Sequence, residues 1–260
     1  MASIELTNIV RDFPEAQGRG RWRAIDDVSF KVETGEIVGI LGPSGCGKST
    51  LLNIVAGLDE GYGGRCLIDG VPVSEAFEKG FRVAYVFQQS RLLPWKTVRQ
   101  NIEFVLKAAG RRQSTWQERI DAILRMVELS DFADFFPAQL SGGMQQRASI
   151  ARAFAIEPDI LLLDEPFSAL DELTARRLRQ SLLEIWREFR TTILFVSHNA
   201  MESTFLGDRV MIMGQGPGGR IREKISLAHL SRPRTYDDVG LFDASREVIT
   251  AMQQYVDDLK

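Results

Sequence analysis

The chain has 260 residues, which is enough for one large or two smaller domains with a core that needs no disulfide staples. Charged residues make up 26% and hydrophobic residues 44%, values that exclude wholesale disorder, collagen and coiled coil. The 32 Lys and Arg against 35 Asp and Glu give a net charge of −3, so no basic field indicates nucleic-acid binding. Two cysteines cannot form a disulfide framework, and they suit a reducing compartment.

Apolar runs in the sequence are short, and none approaches the ~18 consecutive apolar residues that a membrane-spanning helix needs. The first residues, Met1 to Glu5, lack the basic and apolar regions of a secretory signal. We therefore expect a soluble, cytosolic chain whose role at a membrane comes through a partner.

The predicted elements alternate between strands and helices along most of the chain. In chain order the pattern predicts strands at 3–10 and 28–32 joined by a long hairpin loop at 14–21, a strand at 36–41, a helix at 48–57, strands at 65–68 and 81–87, helical structure at about 90–155, a strand at 160–163, a helix at 173–190 and a strand at 192–196. This order predicts an α/β fold: a mostly parallel sheet core, an antiparallel β subdomain and an inserted helical subdomain.

The end of the chain, 236–260, is predicted to form a helical tail after a main domain at 1–235. Its apolar residues fall at helical spacing: Val248, Met252, Tyr255, Val256 and Leu259. Such a helix packs on its own domain or makes a regulatory contact. Packing on its own domain is the preferred interpretation.

A glycine-rich segment between a predicted strand and a predicted helix matches the pattern G-x-x-x-x-G-K-[ST]. Its backbone N–H groups can point at one anion, and the helix N-terminus adds positive potential. Lys48 is placed to reach the β- and γ-phosphates, and the Ser49 hydroxyl to coordinate Mg²⁺. A structural turn is the alternative, and Cys46 is interpreted as loop filler because no base neighbours it. The predicted nucleotide-binding residues are Gly42, Pro43, Ser44, Gly45, Cys46, Gly47, Lys48, Ser49 and Thr50.

Two adjacent carboxylates follow the apolar strand at 160–163, at the strand end where ligands bind in such sheets. Asp164 is predicted to hold Mg²⁺, and Glu165 to orient or deprotonate the attacking water. Helix capping is the alternative role for this pair. Together with the glycine-rich loop, the carboxylates predict nucleotide hydrolysis.

A second helix start, at 140–147, reads Leu-Ser-Gly-Gly-Met-Gln-Gln-Arg. Ser141 is a natural N-cap, and the first turn has no carboxylate to neutralise the positive end of the helix dipole. Its N–H groups are therefore open to an external anion. Because one nucleotide does not need two such cradles, we expect Ser141, Gly142 and Gly143 to meet a nucleotide held by another copy of the protein. An unoccupied helix start is the alternative.

With this segment the chain resembles the nucleotide-binding subunits of ABC transporters over nearly its whole length. The resemblance implies a P-loop ABC-ATPase fold that dimerises around two ATP with Mg²⁺. It makes Gln88 the glutamine that senses Mg²⁺ and the γ-phosphate, and His198 the histidine that hydrogen-bonds the γ-phosphate. Asp171 ends a loop that crosses the dimer interface. Ser197 and Asn199 depart from the family's Thr-His-Asp and leave the local geometry around His198 open.

The adenine-stacking aromatic is less sharply defined by the sequence. Phe13 matches the family position best, and Trp22 is the alternative after a long loop. A flat ring of either kind suits a purine. Both rings can instead simply pack the hairpin.

Three further segments resemble importer ATPases of the nitrate, sulfonate, taurine and bicarbonate group. They are Leu-Leu-Pro-Trp at 92–95, Phe167 in the loop after Glu165, and the stretch from Gly216 to Arg234. The resemblance implies a peripheral subunit on the cytoplasmic face of the inner membrane. It implies polytopic permease subunits, a second ATPase subunit (identical or related) and, indirectly, an extracytoplasmic solute-binding protein.

The apolar residues at 92–95 are expected to form an exposed patch in a groove that receives a short cytoplasmic helix of the permease. Packing inside the helical subdomain is the alternative for each of them. Competing functions are an exporter or lipid-transport ATPase, a soluble ABC protein acting on DNA or ribosomes, and a P-loop kinase. A single cassette with no basic surface and with the 140–147 segment disfavours the last two.

Overall fold

A computed structural model describes residues 1–15, 20–111, 113–168, 170–214 and 218–257. The strands are β1 (Ile4–Pro14), β2 (Arg21–Val32), β3 (Ile37–Leu41), β4 (Gly63–Ile68), β5 (Val71–Pro72), β6 (Val83–Val86), β7 (Ile160–Asp164), β8 (Thr192–Ser197), β9 (Arg209–Gly214) and β10 (Arg220–Ser226). The α-helices are α1 (Lys48–Val55), α2 (Val73–Ala76), α3 (Val98–Ala108), α4 (Trp116–Met126), α5 (Gly142–Ala155), α6 (Glu172–Phe189), α7 (Ala200–Leu206) and α8 (Val239–Asp257).

The chain forms two compact units, Met1–Phe81 with Thr192–Lys260, and Arg82–Thr191. The first unit contains an antiparallel sheet in the order β2-β1-β4-β5. It also contains β3, which pairs in parallel with β8 on one side and with β9 on the other, while β10 pairs antiparallel to β9. Every residue of β3 and β8 is buried, as expected for strands covered on both faces.

The second unit contains the parallel pair β6–β7 and the helices α3 to α6. Of these, α3 and α4 each contact α5. Glu157, just after α5, accepts hydrogen bonds from Arg119 on α4 and from Arg111 at 2.7 Å. The α/β fold with a parallel core, an antiparallel β subdomain and helices is confirmed by the structure.

Short polar side chains set four helix starts. Thr97 accepts from the Gln100 N–H, whose own side chain accepts from the Thr97 N–H, forming a capping box at α3. Ser141, Asp171 and Asn199 cap α5, α6 and α7, each by accepting the N–H three residues on. Of these four starts, the sequence analysis predicted those of α5 and α6, each to within one or two residues.

Some boundaries differ from the prediction. The predicted strand at 3–10 continues to Pro14, because β2 pairs with it up to Arg21. The segment at 90–140 contains two α-helices joined by short 3₁₀ turns and loops rather than continuous helix. The loop residues 16–19 lie outside the described residues.

The C-terminal helix α8 packs against α7 and β9 within the first unit. Its buried side chains include Leu241, Ala244 and Val248, while Met252 and Tyr255 are half-buried. The side chain of Val256 and the whole of Leu259 lie outside the described residues. No helix in the described ranges is long and apolar enough to cross a bilayer.

Candidate functional site

The glycine-rich loop at 42–49 runs from the end of β3 to the start of α1. Gly45 (φ +81°) and Gly47 (φ +97°) adopt the left-handed conformation that side chains disfavour. Gly47 occupies the N-cap position of α1 and so has no side chain to cover the helix end. The loop therefore turns its backbone amides into a cradle suited to an anion.

Lys48 lies within this loop. Its side chain is buried, and the Nζ donates to the carbonyl oxygens of Gly42 and Pro43, each at 2.8 Å. Among the residues that the structure describes, no carboxylate pairs with it. A buried ammonium held by neutral carbonyls keeps its charge available for a phosphate.

Neighbouring strands brace the loop, which the sequence reasoning missed. A Cβ at Gly42 would lie 2.2 Å from the Met213 carbonyl oxygen, and one at Gly47 would lie 2.6 Å from that of Ala24. Gly219 packs equally tightly, since its Cβ would lie 1.8 Å from the Cys46 carbonyl oxygen. The paired glycines at 218–219 were the only sequence signal for this contact.

Cys46 fills space under the loop. Its side chain is buried, and burial raises the pKa of its thiol above the usual value even though Lys48 lies nearby. A protonated, buried thiol is a poor nucleophile. The interpretation of Cys46 as a filler fits this environment.

In the second unit, Asp164 and Glu165 stand at the end of β7. Asp164 Oδ2 accepts a hydrogen bond from the Tyr85 hydroxyl at 3.2 Å. Glu165 has a φ of +45°, a left-handed conformation that costs a residue with a side chain about 1–2 kcal/mol. Such local strain turns the Glu165 carboxylate out of the direction that a regular strand would give it.

Gln88 follows β6 and meets Glu165 directly. Its Nε2 donates to Glu165 Oε2 at 3.2 Å and to Ser168 Oγ at 3.4 Å. Ser168 in turn donates to the Glu165 carbonyl oxygen at 3.0 Å. The structure thus brings two of the predicted catalytic residues together and adds Ser168, which the sequence reasoning missed.

The helix α5 begins as the sequence predicts. Ser141 Oγ accepts the Met144 N–H at 3.3 Å, and the first turn carries no acidic residue. A Cβ at Gly142 would meet no atom of the described residues within 4 Å. Since its φ is not positive either, neither backbone strain nor crowding within the described chain requires glycine there.

Three side chains of α5 hold the segment after β6. Gln146 donates to the Phe87 carbonyl oxygen at 3.3 Å, and Gln145 accepts from the Ser90 hydroxyl at 3.1 Å. Arg152, whose burial lowers its pKa, donates to the carbonyl oxygens of Ser90 and Arg91. Hydrogen bonds therefore hold the loop that carries Gln88 against the helix that begins at Gly142.

Asp171 and His198 lie at helix starts in different units. Asp171 caps α6, and the hydrogen bond from Thr174 lowers the pKa of its carboxyl. His198 is exposed after β8 and lines a cavity of about 670 Å³ between α7 and α8.

The departures on either side of His198 have clear structural roles. Asn199 caps α7 by accepting the Glu202 N–H, and the Ser197 hydroxyl accepts the Asn199 N–H at 3.0 Å. These are bonds that Asp and Thr also make, so the altered residues keep the turn that carries His198.

Phe13 and Trp22 are paired residues of β1 and β2, with ring centroids 6.2 Å apart. The Arg11 guanidinium lies 4.2 Å from the centre of the Phe13 ring. Phe13 is half-buried and Trp22 is 49% exposed. Both rings are thus engaged in the hairpin, and the choice of adenine-stacking residue stays a prediction.

A groove of about 570 Å³ lies beside Gln88 in the second unit, between the loop after β6 and the start of α5. Arg91, Leu92 and Pro94 line it together with Pro137 and Gln145.

Asn101 holds the loop that borders the groove through hydrogen bonds, and the sequence reasoning missed this residue. Its buried amide accepts the Leu93 N–H and donates to the carbonyl oxygens of Leu93, Lys96 and Thr97. Trp95 beside it is 70% exposed, whereas Leu92 and Leu93 are half-buried. Of the predicted apolar patch, Trp95 is the most exposed member.

Comparison with known proteins decides what this arrangement is. The sequence profile of the ABC transporter family matches residues 25–168, which is more than half of the chain. The chain belongs to the ABC transporter family. It is an ABC-type ATPase that binds ATP.

Among its relatives, the nitrate import ATP-binding protein NrtD of Synechococcus elongatus is 44% identical over 85% of this chain and 80% of its own length. The aliphatic sulfonates import ATP-binding protein SsuB 2 of Burkholderia cenocepacia is 42% identical over 90% and 83%. A solved structure, the dimeric post-hydrolysis state of the ATP-binding cassette MJ0796 bound to ADP and Pi, is 33% identical with a TM-score of 0.77. It covers 86% of this chain and 98% of its own.

Proposed function

We propose that this chain is the ATP-hydrolysing subunit of an importer for a small anionic solute. Two copies, or this chain and a related ATPase, close around two ATP molecules. Each nucleotide lies between the glycine-rich loop of one copy and the α5 start of the other. Closure moves polytopic permease subunits, and hydrolysis reopens the pair.

The start of α5 is the observation that carries this proposal. Ser141, Gly142 and Gly143 present amides, a small hydroxyl and no opposing charge, and the space at Gly142 is open. A helix end of this kind favours a phosphate. The dimeric MJ0796 structure with ADP and Pi supports an assembly of two cassettes.

In the proposed site the loop amides and Lys48 hold the β- and γ-phosphates, and Phe13 or Trp22 stacks on the adenine. The residues proposed to hold Mg²⁺ offer only oxygen donors, a hydroxyl from Ser49, a carboxylate from Asp164 and an amide from Gln88, which suits this hard cation. When bound, Mg²⁺ neutralises charge on the phosphates.

Glu165 accepts the proton of the attacking water, and His198 donates a hydrogen bond to the γ-phosphate. Gln88, which donates a hydrogen bond to Glu165 Oε2, orients that carboxylate and links it to the loop after β6. Asp171, at the end of the loop that begins with Glu165, approaches the second copy. Turnover then depends on both copies.

The permease partner is proposed to dock in the groove bordered by Arg91, Leu92 and Pro94, with Trp95 as an exposed aromatic anchor. With such a partner, the proposed location of the chain is the cytoplasmic face of the inner membrane, as a peripheral subunit. The names of the nitrate and sulfonate relatives support an anionic solute such as nitrate, a sulfonate, taurine or bicarbonate. A solute-binding protein outside the membrane then acts only indirectly on this chain.

The dimer is tested with Glu165→Gln, which keeps the shape of the side chain but removes the base. With ATP and Mg²⁺ the variant is expected to elute from gel filtration at twice the monomer mass, and its turnover to fall by about 10²–10⁴-fold. The matched control is the same variant with ADP, which is expected to stay monomeric. A variant that remains monomeric with ATP while the wild type hydrolyses ATP at high dilution would refute the two-copy site.

The importer role is tested by purification from membranes. We expect a polytopic membrane protein to co-purify with the wild type and less of it with Trp95→Ala, whereas Phe104→Ala serves as an exposed aromatic control. Uptake of labelled nitrate, taurine and bicarbonate by cells with and without the chain then identifies the solute. Co-purification of ribosomal RNA or DNA instead of a membrane protein would overturn the importer assignment.

A further inference from the structure

Tyr85 contacts two parts of the second unit: Asp164, which is proposed to bind Mg²⁺, and the segment after β6 that lines the groove. Its hydroxyl donates to Asp164 Oδ2 at 3.2 Å. Its ring stacks on Phe87, with centroids 4.2 Å apart and planes inclined by 20°. The Arg91 guanidinium lies 4.4 Å from the centre of the Phe87 ring, and Arg91 lines the groove after β6.

The strand register explains why these side chains meet. Tyr85 pairs with Leu162 in the parallel ladder of β6 and β7. Residues two apart on a strand share a face, so Tyr85 and Phe87 lie on the same side of the sheet as Leu162 and Asp164. A shift of one residue in either strand would move the hydroxyl to the opposite face.

The Tyr85 hydroxyl is the donor in this contact. A carboxylate oxygen only accepts, so the proton of the hydrogen bond belongs to the phenol. A donor on one carboxylate oxygen restricts the rotation of the group.

We propose that Tyr85 is a positioning residue for Asp164, held in place by the stack of Phe87 under Arg91. This inference rests on the proposed role of Asp164 as a Mg²⁺ ligand. The hydroxyl orients the carboxylate before the metal arrives, so its loss weakens binding of the metal–nucleotide complex and leaves binding of free nucleotide intact.

Calorimetric titration with a non-hydrolysable ATP analogue tests this inference, once with Mg²⁺ and once with EDTA. For Tyr85→Phe, which keeps the stacked ring, we expect the Kd measured with Mg²⁺ to rise about 10-fold or more. The Kd measured with EDTA is expected to change less than about twofold. Tyr62→Phe makes the same chemical change at a half-buried tyrosine of the first unit and is expected to leave both constants unchanged.

Asp164→Asn provides the reference that separates the two claims. If Asp164→Asn loses the Mg²⁺-dependent affinity and Tyr85→Phe does not, the positioning role is wrong and the proposed function stands. If neither variant changes the Mg²⁺-dependent affinity, Asp164 is not a metal ligand. That result overturns both the positioning role of Tyr85 and the proposed metal-binding role of Asp164.

A second variant covers the case in which Tyr85→Phe melts far below the wild type. Phe87→Leu keeps the Tyr85 hydroxyl but removes the stacked ring. We expect a smaller loss of the same kind, and unchanged affinity there would also refute the inference.

Discussion

The helix starts of α1 and α5 look alike in sequence but are built differently. Glycine stands at the N-cap of α1 and at the first two positions of α5, and neither helix has an acidic residue in its first turn. At α1 the chain supplies its own positive charge through Lys48, buried among loop carbonyls. At α5 the N-cap is satisfied by Ser141, and Gly142 faces open space.

Because of this difference, we expect the two helix starts to have different roles: one binds the nucleotide, and the other completes the site. A cradle with left-handed glycines and a buried ammonium can hold a triphosphate without further help. A capped helix end with only dipole potential offers a weak site by itself, worth about 0.3–1 kcal/mol per charge. We therefore expect α1 to determine ATP affinity and α5 to determine whether a second copy closes over it.

Of the changes at the two helix starts, removing the charge at α1 should have the largest effect. Lys48→Met keeps the length of the side chain but leaves the loop carbonyls without an ammonium, so turnover is expected to fall by about 10²–10³-fold. Steady-state hydrolysis measures this. Lys79→Met removes an exposed lysine elsewhere and should retain wild-type turnover. Equal losses in the two variants would contradict a specific role for Lys48.

Placing a carboxylate at the second helix start should separate function from stability. Gly142→Asp favours the helix dipole and should leave the melting temperature unchanged or higher. The same charge repels a phosphate, so turnover of the isolated protein should fall by about tenfold or more. Gly142→Asn has nearly the same shape without the charge. A similar loss in the Asn variant would show that size, not charge, matters at this helix start.

Deleting the N-cap side chain of α5 should have a smaller effect, seen in the free energy of unfolding. Ser141→Ala leaves the Met144 N–H without its partner and should lower the free energy of unfolding by about 1 kcal/mol. Urea denaturation measures this cost. Ser130→Ala, in a 3₁₀ turn of the same unit, is the comparison. An unchanged midpoint for Ser141→Ala would mean that the cap hydrogen bond contributes nothing to the unit.

The smallest effect should come from the thiols. Burial raises the pKa of Cys46 and raises that of Cys66 to about 12. Because the thiolate is the reactive form, a raised pKa means less thiolate at pH 8 than in a free cysteine. Alkylation of the folded protein should therefore be slow and leave turnover intact, whereas urea should make both thiols react rapidly. Fast inactivation of the folded protein would contradict the filler role of Cys46.

Local patterns in the sequence predicted the parts of the candidate site that depend on neighbouring residues. The loop at 42–49, the carboxylates after β7 and the cap at Ser141 are set by short-range chemistry, such as glycine conformations and N-cap hydrogen bonds. The starts of α5 and α6 were predicted for the same reason. The extension of β1 to Pro14 was not predicted, because strand length depends on what the partner strand offers.

Contacts between distant residues could not be predicted from one sequence. Three contacts bring together groups that local sequence patterns do not relate. They are the hydrogen bonds of Asn101 to the segment 93–97, the contact of Ser168 with Gln88, and the packing of Gly219 against the glycine-rich loop. Tyr85 is the clearest example, since its partner Asp164 lies 79 positions along the chain. The apolar residues of β6 and β7 do not by themselves specify which residues of the two strands pair.

The sequence by itself determined the family and indicated the glycine-rich loop and the candidate catalytic carboxylate, because each depends on residue types at fixed, short spacings. Only the tertiary structure decided which face Tyr85 shares with Asp164, how α5 holds the loop of Gln88, and what braces Gly42. Those outcomes depend on strand register and close packing. They are set by the burial of many side chains at once and not by any one segment.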